Sequence, residues 1–356
     1  MTGQRATAAD AVSAADSGPE TDLNACMLFQ NPHPAHRTFG DALGAEYVHF
    51  ETGEGLADGS RTLDDEFARL ETGTTLSGDY DVVIAEGTAP LQTLLAYGAS
   101  HPSTLFGSTA LVYLAADETF LTLRNRGTRH VWTALEPVTG RLLDGAIGVS
   151  ETALEWARPY LGAVHTRVVR PPIAPAKYDR LRSLEPASPD DPVELLTAGT
   201  TKPANNVAAL ASAADRLPGV ELTILGAGHD EEPYASLESV RTPGFVDLEA
   251  FAAAFARASL YVQPSIGDAF PVAAMEGMLS GTPVIASTET GTREVLPERN
   301  VFEPHVDDIA DCIDRVRTMD RTARIEMGRR HRQRIEDCTE SRQAAAFRAA
   351  VEGMVR

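Results

Sequence analysis

Short apolar, β-favouring runs recur along this chain, and the spacing between them limits what it can fold into. Residues 24–29, 46–50, 80–85, 109–114 and 145–150 each read as a strand, and every gap between them is long enough for a crossover helix. Alternation of this kind argues for a parallel sheet covered by helices. After Val168-Val169-Arg170 the chain reads Pro171-Pro172-Ile173-Ala174-Pro175 and then stays polar to Pro192, the composition of an interdomain connection. A second series follows, with strands at 193–199, 220–225, near 245–246, at 260–263 and at 282–286, and helices over 207–217 and 248–257. At 356 residues the chain is long enough for two such lobes, each burying its own core. The expectation is an α/β protein with two lobes. Residues 1–22 form a tail without a signal-peptide pattern, 23–172 the first domain, 173–192 the linker, 193–330 the second domain and 331–356 a C-terminal helix.

The net charge of −20 and pI near 4.8 oppose a nucleic-acid partner, which needs a basic face to meet phosphates. Only Lys177 and Lys202 are lysines; the other 29 of the 31 basic residues are arginines. Acidic, lysine-poor surfaces suit molar salt, where screening shortens to roughly 3 Å. A salt-loving source is one reading and an acidic mesophile with a GC-rich genome the other; a low-salt activity optimum would favour the second. Cys26, Cys312 and Cys338 are dispersed, as reduced intracellular thiols filling cores are. No run of about eighteen apolar residues exists to span a membrane. Eight arginines between Arg315 and Arg334 suit either a helix lying on anionic lipid or a solvated face paired with Glu326, Glu336 and Asp337.

The stretch GDAFPVAAMEGMLSGTPVIAS, residues 267–287, carries the most chemistry. A strand ending at Gln263-Pro264 feeds a loop. Pro271 suits the first helical position, and Gly281 suits the helix's C-terminal stop. The unit places Asp268 and Glu276, eight positions apart, at the carboxyl end of a strand, where open α/β sheets bind ligands and helix N-termini present N–H groups to anions. Two further junctions share that geometry. The loop from Gly199 through Thr200, Lys202 and Asn205 brings one of the two lysines to a helix start, where a compact ammonium suits a diphosphate. The segment Thr290-Gly291-Thr292-Arg293-Glu294 offers small residues that let backbone N–H groups approach a ligand. Gly226-Ala227-Gly228 lacks the rest of a dinucleotide fingerprint and reads as a tight turn. Neither histidine pairs nor carboxylate clusters with metal-ligand spacing occur, nor a G-x-S-x-G nucleophile.

Residues 190–300 resemble the donor-binding domain of the family 4 retaining glycosyltransferases, whose GT-B fold has two facing Rossmann-like domains. The resemblance rests on PSIGDAFPVAAMEGMLSGTPVI, which matches the family's run around E-x7-E, and on AGTTKPANN, LTILGAG, GFV and TGTRE in the family's order. It implies that Glu276 holds the ribose of a nucleoside-diphosphate sugar and that Asp268 borders the donor sugar. Phe270 and Pro271 would shape the sugar pocket, and Thr290, Gly291 and Glu294 would lie near the phosphates. Gly199, Thr200 and Asn205 would belong to the donor loop, with Lys202 acting on the leaving diphosphate. The implied reaction keeps the anomeric configuration and needs neither a cofactor nor a protein-held metal. A glycan and a lipid-linked alcohol are the acceptors left open, and the implied location is the cytoplasm, with contact at the inner membrane face left open.

Three departures stand out. Asp268 is one methylene shorter than the usual glutamate; the family's Arg and Lys fall on Thr200 and Asn205; and the first domain lacks the glycine-rich loop and histidine of many members, reading LVYLAADETF instead. These departures keep a non-catalytic partner protein in view, and the shared fold keeps a nucleotide-sugar 2-epimerase in view.

Overall fold

The computed structural model describes residues 23–29, 34–49, 80–88, 90–91, 109–118, 120–121, 139–186, 188 and 193–355. The expected tail, Phe50 and residues 189–192 lie outside them. In the first sheet the strands are β1 (Ala25–Phe29), β2 (Glu46–His49), β3 (Val82–Glu86), β4 (Ala110–Ala115), β5 (Gly145–Gly148) and β6 (His165–Val168), in the order β2-β1-β3-β4-β5-β6. In the second they are β7 (Val193–Ala198), β8 (Val220–Leu225), β9 (Val240–Gly244), β10 (Leu260–Gln263), β11 (Val284–Ser287) and β12 (Val301–Phe302), in the order β12-β11-β10-β7-β8-β9. Every pairing among them is parallel.

The central strands β3, β4, β10 and β11 are buried along their whole length, as expected where helices cover both faces of a parallel sheet. The helices described from end to end are α1 (Pro34–Leu43), α2 (Glu151–Leu161), α3 (Pro175–Arg182), α4 (Val207–Asp215), α5 (Leu248–Arg257), α6 (Val272–Ser280), α7 (Val306–Arg317), α8 (Arg321–Gln333) and α9 (Glu340–Glu352).

Local expectations shift in four places. The strand expected near 245–246 is β9, a few residues earlier; Gly244 ends it with φ 78°, and Phe245 beyond it is 89% exposed. The stretch 173–192 contains helix α3, started by Pro175 at N1. Residue 331 falls inside α8, so the end of the chain is α8 followed by α9. Pro271 is the N-cap of α6 and Val272 its first residue, because Pro271 keeps an extended ψ of 117°; Gly281 does close the helix, at φ 80°.

The two domains are joined twice, side by side. Ile173, where the chain leaves the first domain, donates its N–H to Cys338 O at 3.0 Å, and Ile173 pairs with Thr339 where the chain returns. Helix α9 then docks on α1, stacking Phe347 on Phe39 at 4.5 Å between ring centroids, while Arg348 donates to Ala42 O. The arginines before it serve the second domain. Arg332 donates to the carbonyls of Leu184 and Ser280, Arg324 to those of Arg317 and Met319, and Arg330 pairs with Glu326.

Candidate functional site

The loop from Pro264 to Pro271 is held from three sides. Ile266 N–H donates to Ala204 O at 2.7 Å, the N–H groups of Gly267 and Asp268 both donate to Glu289 O at 3.1 Å, and Gly291 N–H donates to Asp268 O at 2.9 Å. Asp268 and Thr290 form an isolated parallel bridge. The three junctions singled out in the sequence, at 199–206, 264–271 and 287–294, therefore meet around the carboxyl ends of β7, β10 and β11. They meet because these strands are neighbours in the sheet, although they are far apart in the chain.

Opposite this loop stands the first domain. Gly267 has φ 92°, and a Cβ built on it would fall 2.9 Å from Leu121 and 3.2 Å from Glu118 Cβ, both just past β4. Only glycine combines that backbone angle with so close an approach. Glu118 is thereby brought to the Asp268 loop. Burial raises the Asp268 pKa from 3.8 to about 7; the Glu118 carboxylate adds to the rise, while the Phe270 N–H and Lys202 oppose it. Glu118 is raised for the same leading reason, burial; its own backbone N–H opposes the rise, Asp117 adds to it and Lys202 opposes it. Asp268 makes no cap on α6, whose N-terminus has no side-chain hydrogen bond. Val272 and Ala273, both half-buried, open the first turn, where backbone N–H groups have no helical partner.

Glu276 lies one turn further along α6 and is only 2% exposed. Its Oε1 accepts from Lys177 Nζ of α3 at 2.7 Å, and the same ammonium sits 4.5 Å from the Phe251 ring centroid. Burial raises the Glu276 pKa and Lys177 opposes the rise. The chain's two lysines are thus divided between its two acids: Lys177 binds Glu276, and Lys202 acts electrostatically on Asp268 and Glu118. Burial pushes the Tyr261 phenol up, and the charges of Glu276 and Asp268 add to the rise.

The Gly199 loop is shaped by its neighbours. A Cβ at Gly226, where φ is 136°, would overlap Gly199 O at 1.9 Å. The buried His229 ring receives the Tyr234 hydroxyl at Nδ1, 2.6 Å away, and faces Gly199 O with Nε2 at 3.2 Å. A carbonyl only accepts, so Nε2 carries the proton. The turn expected at 226–228 is therefore part of the wall behind this loop. Asn205 Nδ2 donates to Thr200 O at 2.8 Å and lies 3.0 Å from Thr200 Oγ1, which uses that amide group to shape the loop. Lys202 is exposed at the loop's tip and precedes the short turn Pro203–Asn205.

The 290–294 segment faces the first domain. Thr290 is buried and donates to Ser287 O at 3.1 Å. A Cβ on Gly291 would lie 2.0 Å from Ala269 O, 2.8 Å from Ser150 Oγ and 2.9 Å from the Phe270 ring. Glu294 Oε1 accepts from Thr152 N and Oγ1 at 2.5 and 2.7 Å, at the start of α2, and Ser150, the N-cap of α2, donates to Ala269 O at 2.6 Å. A carboxylate at a helix N-terminus is favoured by the unpaired N–H groups there. In this structure Glu294 joins the domains, and Phe270 is buried beneath the Arg170 guanidinium at 5.8 Å.

Glu118 and Lys177 were not singled out for the site in the sequence. The contact of Lys177 with Glu276 spans 99 positions, and Glu118 reaches Gly267 only through the packing of two domains. The one signal available was the rarity of lysine.

Residues 192–318 match the family described as "Glycosyl transferases group 1". The chain is 27% identical over 266 residues to phosphatidyl-myo-inositol mannosyltransferase of Propionibacterium freudenreichii subsp. shermanii, covering 71% of this chain and 65% of that protein. It is 28% identical over 139 residues to sulfoquinovosyl transferase SQD2 of Arabidopsis thaliana, covering 36% of this chain and 27% of that protein. The chain thus spans less than two thirds of the length of these curated relatives. Among solved structures, sucrose-phosphate synthase from Thermosynechococcus elongatus superposes with a TM-score of 0.70 at 16% identity, over 93% of this chain and 99% of that one. Anabaena HepE in complex with UDP and glucose superposes with a TM-score of 0.65 at 15% identity, over 93% and 100%. The fold is GT-B: two parallel-sheet α/β domains facing one another, with the C-terminal helix returning to the first.

Proposed function

We propose that this chain is a retaining glycosyltransferase that moves a sugar from a nucleoside-diphosphate sugar to an acceptor hydroxyl. The observation that carries the reading is the placing of the two acids. Asp268 stands on a loop against the other domain and Glu276 lies a turn inside α6, with the helix's first N–H groups between them, Lys177 bonded to Glu276 and the charge of Lys202 acting on Asp268. A nucleotide sugar is a ligand with a hydroxyl-bearing ring at each end and a diphosphate in the middle. Glu276 takes the ribose, Asp268 and Glu118 face the donor sugar, and the α6 N-terminus with Lys202 takes the diphosphate. HepE, of like fold, was solved with UDP and with UDP-glucose, which supports a donor of this class.

In the reaction the bond from the anomeric carbon to the phosphate oxygen breaks and a bond to the acceptor oxygen forms on the same face. The departing phosphate takes the acceptor's proton. Lys202 and the helix N-terminus act on charge that grows as the bond breaks, which is where electrostatic stabilisation accelerates a step. Positions 200 and 205 carry no cation, so Lys202 does this alone within its loop. Among the described residues no helix is long and apolar enough to cross a membrane; contact with a membrane face through a lipid-linked acceptor fits that and the mannosyltransferase likeness. The acidic, lysine-poor surface fits work in concentrated salt.

Calorimetry with UDP and GDP, in low and molar salt, tests the binding half of this reading. Glu276→Ala is expected to weaken binding of whichever nucleotide the native protein takes, by roughly tenfold or more, because charge-assisted hydrogen bonds to ribose are lost. Equal affinity in both proteins would remove Glu276 from the site.

A further inference from the structure

The carboxylate of Glu276 is only half engaged by the protein. Its side chain is 3% exposed, and among the described residues its hydrogen bonding is confined to Oε1, which accepts from Lys177 Nζ at 2.7 Å. Buried polar atoms are nearly always paired, so the remaining oxygen, Oε2, calls for a donor from a ligand. Lys177 is half engaged as well. An ammonium has three N–H donors; one meets Glu276, the nitrogen lies 4.5 Å from the Phe251 ring centroid, and the side chain is 41% exposed. A donor is therefore left over beside the open acceptor.

The lysine reaches Glu276 from a fixed backbone. Pro175 starts α3, the Tyr178 hydroxyl donates to Glu336 O at 2.9 Å, Arg180 pairs with Glu249 of α5, and Leu181 is fully buried. The residue type matters as much as the place. Of the 31 basic residues 29 are arginines, yet a lysine stands here. The planar fork of a guanidinium takes both oxygens of a carboxylate, whereas an ammonium is a compact donor that takes one and leaves the other. An arginine at 177 would close the carboxylate that the lysine leaves open.

We propose that Lys177 is part of the nucleotide seat: Glu276 Oε2 accepts from one ribose hydroxyl, and the Lys177 ammonium donates to the oxygen of the neighbouring one. An ionised carboxylate only accepts and an ammonium only donates, while each hydroxyl of a vicinal diol does both. The ion pair thus offers one acceptor and one donor, side by side, to two adjacent hydroxyls. The inference rests on the donor reading, which brings the ribose to Glu276. It adds to that reading a specificity-determining residue from α3, on the stretch that the sequence marks as an interdomain connection.

Calorimetry on the full chain tests it, with UDP and GDP and then with the 2′-deoxy and 3′-deoxy forms of whichever binds. The native protein is expected to hold each deoxy form roughly tenfold more weakly, the size of one lost hydrogen bond to a charged group. In Lys177→Met one of these two penalties should vanish and the other remain. Lys177→Arg should melt no lower than the native protein, yet bind the parent nucleotide at least roughly tenfold more weakly, because its fork covers both oxygens. A lysine that serves only to hold Glu276 would behave otherwise: the Met variant would keep both penalties or lose both, and the Arg variant would bind as the native protein does. Either result overturns the inference, as does a native protein that binds the nucleotide and its deoxy forms alike. A native protein that binds neither UDP nor GDP overturns the donor reading itself. If Lys177→Met fails to fold in a thermal melt, Lys177→Arg decides alone.

Discussion

Asp268→Asn probes the electrostatics of the donor loop, because the change keeps the side chain's shape and removes its charge, exchanging one acceptor oxygen for an NH2 donor. The Asp268 carboxyl has its pKa raised from 3.8 to about 7, chiefly by burial and next by Glu118. A raised carboxyl makes the folded state bind the proton more tightly than the unfolded chain. The native protein therefore loses stability as pH climbs from about 4 to 7 and gains none back above that. At about 1.4 kcal/mol per unit, the full shift corresponds to about 4 kcal/mol, of which about 3 kcal/mol develops between pH 5 and 8.5. Partial exposure of the side chain lowers the expected figure to about 1–2 kcal/mol. The Asn variant carries no such penalty. In urea unfolding at both pH values, its stability relative to the native protein should be about 1–2 kcal/mol more favourable at pH 8.5 than at pH 5. Removing the charge also relieves Glu118, which reinforces the sign. A difference between variant and parent that does not change with pH would refute the reasoning.

Three further outcomes are expected. Lys177→Met strands the buried Glu276 carboxyl and should cost about 1–3 kcal/mol, below the usual figure for a broken buried pair because Lys177 is 41% exposed; adding Glu276→Gln should recover part of it in the same urea assay, and a double variant no better than the single one would count against the pair. Gly291→Ala forces a methyl to within 2.0 Å of Ala269 O and should cost about 3 kcal/mol, read as a lowered melting temperature; an unchanged melt would mean that the 287–294 loop shifts freely. Lys202→Ala should lower kcat while leaving donor selectivity alone, and Lys202→Arg should restore only part because a planar fork meets phosphates differently; equal kcat in all three proteins would take lysine out of the reaction.

Features that depend on local chemistry were legible in the sequence. Strands β8 and β10 and helix α5 fall where the apolar runs put them, β10 ending before Pro264; the structure adds that Asp247 caps α5 by accepting from Ala250 N–H. The loop carrying Asp268 was readable because a strand, a proline, a glycine stop and a second strand follow in order. Features that arise from long-range packing were not. Edge strands β6 and β12 were missed: β6 alternates exposed and half-buried residues, and β12 is two residues long. Phe245 has the side chain of a strand residue, yet it follows a left-handed glycine and points to solvent. Glu294 reads as a loop carboxylate near a ligand, and only the docking of α2 shows that it meets Thr152. The same limit hid the pairing of Lys177 with Glu276.

The most direct test of the central claim is turnover. The purified chain is incubated with a panel of UDP- and GDP-sugars and with polyol acceptors, in low and in molar salt, and products are identified by mass spectrometry, with NMR for the anomeric configuration. The account predicts one preferred donor, release of its nucleoside diphosphate, a new glycoside with the donor's configuration kept, and loss of that product in Asp268→Asn. An epimerised donor, an inverted glycoside, or full activity in the Asn variant would contradict it, as would a protein that binds a donor and leaves it unchanged with every acceptor.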